Sequence, residues 1–301
     1  MSFLLSRKPS SQKNNYVCRG TLRGHSGPVL SLAATDDGKL LASGAADGTR
    51  VWDLQTMQEM CGPSSGGVMG ATTSMGAPDF EEFFCGQLTK PGEVTGLAFD
   101  PLSNRLAVCN RNGIVQVHSV DGSMNLRELF LKEIPNSSPQ AVAFGAMCGT
   151  EKDVLVFNLH SGHIHILRRG EIVGRWNVGA FIGDACIDAG KGSMCLADPI
   201  YGVSVHRLED NGLLKVNSFK IPVTKKTRVR KVAFANQCRE VVGGSDHGLI
   251  YVFDRKKGHT IDELRIDPGE WAQTVTATEC NGAPTILAAK SICDDAAPNE
   301  I

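Results

Sequence analysis

An excess of charge of either sign is missing from this sequence: 31 Lys plus Arg stand against 32 Asp plus Glu, a formal net charge of -1. That balance leaves no global field to condense on nucleic acid and no solvating acidic tail, so any electrostatic argument must be local. Long apolar runs are missing too, and none approaches the ~18 residues that a membrane-spanning helix needs. The start, MSFLLSRKPSS, offers only Phe3, Leu4 and Leu5 in a row, too short for the apolar part of a signal peptide. An intracellular protein is therefore expected, in the cytoplasm, with the nucleus also open to it. No C-x-x-C occurs among the ten cysteines, whose closest pair is Cys186 and Cys195, so neither a zinc site nor a disulfide framework is indicated. Cys148, Cys238 and Cys280 each follow an apolar run by a few residues, which places them in equivalent turns that seldom meet in bridging geometry; free thiols are expected. Phosphate-binding loops are absent as well, since Gly190-Lys191-Gly192 lacks the glycine before it and the Ser or Thr after it.

What is present is a globular composition, 42% hydrophobic with 33 Gly against 13 Pro, in 301 residues. Two ordinary domains or one large all-β unit fit that length. A repeat decides between them. Residues 21 to 54 hold three alternating apolar runs, VLSLAA, LLASGA and RVWDL, separated by the turn signals DDGK and ADGT, a meander of short antiparallel strands. The pattern returns at Val94, Pro139, Ile182, Val229 and Ala272, in steps of roughly 43 to 47 residues, the period of four-stranded propeller blades. Only the first step, from Val29 to Val94, is too long, by about half a blade. Within the excess, GVMGATTSM reads as the first strand of a blade and FEEFFCGQL as an outer strand, with nothing between them to supply the middle. The sequence thus predicts an all-β propeller of seven-blade ancestry with a reduced second blade. The expected layout is a disordered tail over 1–15, a single propeller domain over 16–293 with the reduced blade and a Gly/Ser/Met-rich loop at 61–90, and a tail over 294–301.

Gly24-His25, the tight turn Asp47-Gly48 and Trp52-Asp53 occupy matching positions in the first repeat. With these residues the chain resembles the WD-repeat β-propeller family. The resemblance implies that His25, Ser43, Asp47 and Trp52 form a hydrogen-bonded set inside the blade, with Asp53 beside it, whose role is structural. Later repeats depart from the pattern: Phe253-Asp254 survives in the fifth, while His118, Leu167 or His206 stands where Trp would lie. From EVTGLAFD through RLAVCNRNG to SDHGLIYVFD the chain is also similar to uncharacterised fungal WD-repeat-like proteins, a resemblance that implies no activity.

Three segments carry candidate chemistry. Gly62-Pro63-Ser64-Ser65-Gly66 matches the G-x-S-x-G nucleophile elbow, but the loop that follows has no helix to lift the serine above a sheet. His160, His163 and His165 sit around the hairpin turn Ser161-Gly162; three imidazoles can hold zinc, yet no carboxylate or Cys completes the set, and a solvated hairpin is the favoured reading. Lys225, Lys226, Arg228, Arg230 and Lys231 form the one dense basic segment, a ridge for phosphates or an acidic partner. A charged edge strand that blocks edge-to-edge pairing is the favoured reading over nucleic-acid contact, because no aromatics are interleaved as single-stranded nucleic acid would require.

The reading is a non-enzymatic scaffold that needs no cofactor and binds other proteins through loops on a propeller face. A nucleic-acid binder using the basic ridge and a metal-dependent enzyme using the three histidines are the alternatives. The last blade is expected to be incomplete, because AQTVTATEC and PTILAAK are followed only by SICDDAAPNEI, where a third strand should stand. A gapped ring, marginally stable as a monomer or a segment of a longer gene product, is therefore expected.

Overall fold

The computed structural model describes residues 2–7, 15–45, 47–64, 92–122, 125–149, 151–209, 212–224, 227–266 and 271–291. Two strands open the chain, β1 (Ser2–Arg7) and β2 (Tyr16–Leu22). Blade one follows as β3 (Val29–Ala34), β4 (Leu40–Ala45), β5 (Gly48–Asp53) and β6 (Gln58–Ser64). Blade two is β7 (Val94–Asp100), β8 (Arg105–Asn110), β9 (Ile114–Val120) and β10 (Leu126–Glu133), and blade three β11 (Pro139–Cys148), β12 (Glu151–Asn158), β13 (His163–Arg168) and β14 (Glu171–Asn177). Blade four is β15 (Asp184–Asp188), β16 (Ser193–Asp198), β17 (Gly202–Glu209) and β18 (Gly212–Lys220). Blade five is β19 (Val232–Ala235), β20 (Glu240–Gly243), β21 (Leu249–Asp254) and β22 (Thr260–Arg265). The last two strands are β23 (Trp271–Cys280) and β24 (Ala283–Ser291). Each of blades one to five is an antiparallel meander of four consecutive strands. No helix among the described residues is long and apolar enough to cross a membrane.

The meander follows from the local chemistry. Outer strands such as β22 alternate inward and outward residues, second strands such as β16 and β20 are buried throughout, and residues of positive φ such as Gly38, Asn104 and Gly162 stand in the turns. Gly113 (φ 87) and Gly202 (φ 121) close the second turn of blades two and four; a Cβ there would stand 2.5 Å from the Ile134 carbonyl and 2.2 Å from the Phe219 carbonyl. Only glycine combines that backbone with that approach.

The last blade corrects one expectation. It is a complete four-stranded sheet in the order β2-β1-β24-β23, and its third strand is Ser2–Arg7, from the stretch read as a disordered tail. Ser2 through Ser6 pair with Ala289 through Thr285, and the other edge of β1 pairs with β2. The reason is cooperative: Leu4 and Leu5, 7% and 5% exposed, point to opposite faces of the sheet, and each enters a different interblade core. A six-residue strand with three apolar residues looks too short to be structured in isolation but is adequate when two neighbours supply its hydrogen bonds.

Seven-blade ancestry meets six four-stranded sheets. Interblade cores join five pairs of neighbours. Leu41, Trp52 and Leu54 of blade one meet Leu4, Leu22 and Leu287 of blade six. Val115 and Val117 meet Val142 and Val156, Phe157 and Ile164 meet Met194 and Leu196, and Val203 and Phe219 meet Val241 and Phe253. Val242 and Ile250 meet Val275 and Ile286. Among the described residues no such core joins blade one to blade two. The interval between them, 65–91, which holds most of the reduced blade, lies outside the described residues, as do 292–301 and with them the C-terminal tail.

Candidate functional site

Blade one contains a continuous relay of hydrogen bonds. Trp52 Nε1 donates to Ser43 Oγ at 2.8 Å, Ser43 Oγ lies 2.7 Å from His25 Nε2, and His25 Nδ1 lies 2.7 Å from Asp47 Oδ1. With a neutral imidazole only one assignment satisfies every atom: Trp52 donates to Ser43, Ser43 to His25, and His25 to Asp47. Burial works against the Asp47 carboxylate. The Ser26 N–H and the His25 ring outweigh it and hold its pKa well below the usual range. Asp53 caps the following turn, accepting from Gln55 N at 2.7 Å and Thr56 N at 2.8 Å. The relay pairs the Trp52 indole N–H and both His25 ring nitrogens, which would each be costly to bury unpaired.

Later blades solve the same problem with other residues. Asp246 of blade five accepts from Thr224 N at 2.7 Å and from Thr224 Oγ1 and the His247 ring, whose other nitrogen reaches Tyr251 Oη at 2.9 Å. In blade three Asn158 Nδ2 donates to His165 Nδ1 at 2.9 Å and to the His163 carbonyl at 3.0 Å. His206, standing where Trp would lie in blade four, is 5% exposed and bonds Ser204 Oγ; burial first, then Lys215, pushes its pKa down to about 4.

The three histidines do not converge. His160 packs edge-on against Phe181, the His163 and His165 rings stand 6.2 Å apart, and His165 is occupied by Asn158. No group of three or more His, Cys, Asp or Glu among the described residues could hold a metal ion. Ser64 of the elbow pattern ends β6, opposite Thr49, and Ser65 and Gly66 lie outside the described residues.

The basic segment does not form one ridge. Lys225 and Lys226 lie outside the described residues. Arg228 sits 4.4 Å over the Trp271 ring, Arg230 is 4% exposed with Nη2 donating to the Pro199 carbonyl at 2.8 Å, and Lys231 Nζ reaches Asp184 Oδ1 at 2.9 Å. The physical reason is that 227–231 is a connection between blades rather than a free extended edge, so successive side chains fall against blades four and six.

Sequence reasoning missed a cavity of about 470 Å³ where the first turns of blades one, four, five and six converge. Asp36, Asp188 and Glu279 stand in its wall with Cys186 and Cys238, and burial pushes the Cys238 thiol up to about 11. These residues are far apart in sequence, and nothing local in any one of them signals the cavity. Cys18, Cys109, Cys148, Cys186, Cys195, Cys238 and Cys280 are free.

The WD domain, G-beta repeat family matches residues 16–53, from β2 through β5. No curated protein matches the chain, so the fungal resemblance gains no support. The match therefore covers the outer strand of blade six and three strands of blade one, including the whole relay, and with the six four-stranded sheets it makes the molecule an all-β propeller carrying a WD repeat.

Proposed function

We propose that this propeller is a non-enzymatic scaffold that binds other proteins through loops on one of its faces. Propellers carrying WD repeats generally act this way, and one observation on this chain supports the reading above others. The side chains with chemical potential, from the His25 relay to Asp246, Arg230 and Lys231, are spent on holding turns and blade junctions, while large apolar side chains such as Tyr201 are left exposed in the turns. Loops fixed by a rigid frame are suited to recognition. The basic-ridge alternative loses ground because its described members are buried, stacked or paired.

The test is cross-linking mass spectrometry on cells expressing the tagged chain, with elemental analysis of the same purified sample. Cross-links from partner proteins concentrated on loop residues are expected. Stoichiometric metal, or nucleic-acid binding that falls steeply with salt, would replace this reading.

The interval 65–91 is proposed as the remnant of a seventh blade. The strand-like sequence patterns at its ends, GVMGATTSM and FEEFFCGQL, support this. A cytoplasmic or nuclear location is proposed with it.

A further inference from the structure

We infer that the turn between β16 and β17, together with the connection that follows β18, docks an acidic segment of a partner protein through an apolar or aromatic side chain. This rests on the scaffold reading and names the partner's chemistry.

The turn is anomalous within its own molecule. The residue before the turn glycine is Asp47, Asn112, Ser161 and His247 in blades one, two, three and five, all polar, as solvent-facing turns demand. Blade four reads Asp198-Pro199-Ile200-Tyr201-Gly202, and it leaves Ile200 40% and Tyr201 70% exposed. Folding gains nothing from that exposure, and the other blades show that a polar turn suffices. Val223, 38% exposed, and Pro222 extend the apolar surface along the connection after β18, which lies alongside because Ile221 N donates to the Tyr201 carbonyl at 3.4 Å.

The tip is also held rigidly. Asp198 Oδ1 accepts from Ile200 N at 2.7 Å and Tyr201 N at 3.1 Å, and the buried Arg230 clamps the Pro199 carbonyl from below. A residue as costly to bury as arginine is thus used to fix this one turn. An exposed tyrosine on a fixed backbone is the kind of anchor that dominates interfaces, since little ordering remains to be done on binding.

Charge selects the partner. Lys220, exposed, stands opposite Gly202 in the strand register. The carboxylates nearby are occupied: Asp198 is 7% exposed and caps the turn, Asp246 is 1% exposed and holds Thr224, and Asp184 is 6% exposed and pairs with Lys231. The solvent-facing charge shown beside this tip is thus Lys220, which favours an acidic partner.

The test is selection of a random 12-residue peptide library displayed on phage against the immobilised full chain, followed by binding of fluorescein-labelled selected peptides to variants. Enriched peptides are expected to carry an aromatic or branched apolar residue beside Asp or Glu. Tyr201→Ala is expected to weaken them at least about tenfold with the melting temperature unchanged, because that side chain is mostly exposed. Lys220→Glu is expected to weaken them too, and it provides a second exposed variant should Tyr201→Ala alter folding. Selected peptides that lack acidic residues, or that bind both variants as well as the parent, would overturn the inference and leave the scaffold reading standing. A library that yields no binder would overturn it as well, while the scaffold reading is judged separately by the cross-links.

Discussion

Leu5→Ala is expected to loosen the sixth blade and with it the ring. Leu5 is 5% exposed and packs with Tyr16, Val242, Ile250, Val275 and Ile286, a core shared by blades five and six. Removing about three methylene equivalents at roughly 0.8 kcal/mol each, plus the cavity left behind, gives a loss of about 2 to 5 kcal/mol. Leu4, 7% exposed, lies one residue away but on the opposite face, in the core with Leu22, Leu41, Trp52, Leu54 and Leu287. The two cores share no residue, so the losses from Leu4→Ala and Leu5→Ala are expected to add. The double variant approaches the ~5 to 15 kcal/mol that holds a typical protein folded. Urea unfolding measures the free energies, and hydrogen exchange locates the effect: amides of 272–291, protected like the central blades in the parent chain, are expected to exchange far faster in either variant. Unchanged unfolding midpoints, or amides of β24 that already exchange freely in the parent, would show that Ser2–Arg7 does not complete the blade.

Three further outcomes follow from buried groups. Ser43→Ala strands the Trp52 N–H and the His25 ring and is expected to cost about 1 to 3 kcal/mol in urea unfolding, and Trp52→Ala about 3 to 5; a variant that keeps its melting temperature would remove the structural role assigned to the relay. His206 is neutral in both states above its unfolded pKa of about 6.5, but as pH falls toward about 4 the unfolded chain takes up a proton that the folded state refuses. Stability is therefore lost across that window, by about 3 kcal/mol in all, and His206→Leu is expected to flatten that part of the pH profile; an unchanged slope would refute it. In native thiol labelling, Cys18 and Cys148 are exposed and react, while Cys109 and Cys195, both fully buried, react only on unfolding; rapid labelling of either buried thiol would contradict the interblade packing.

Much of the fold was legible because propeller blades are local. Each of blades one to five is a run of neighbouring strands, so alternation, the turn glycines and the spacing of Val94, Pro139, Ile182 and Val229 reveal it without knowledge of the rest. The relay was legible by resemblance, since His25, Asp47 and Trp52 stand at fixed offsets within one repeat. Sequence could also have flagged Tyr201, as the one Phe, Trp or Tyr before the second-turn glycine in the five meander blades. The basic segment misled because proximity in sequence was read as a shared face, whereas Arg228 falls against blade six and Arg230 and Lys231 against blade four.

By itself, then, the sequence determined the strand class, the blade period and the WD repeat of residues 16–53, all carried by contacts between near neighbours in the chain. Only the tertiary structure decided that Ser2–Arg7 is the third strand of the last blade, and that Arg230 serves the Pro199 turn. It also decided that four separate turns enclose one cavity. Those features depend on pairing between residues far apart along the chain, whose free energy appears only once the ring has brought them together, so no local pattern can encode them.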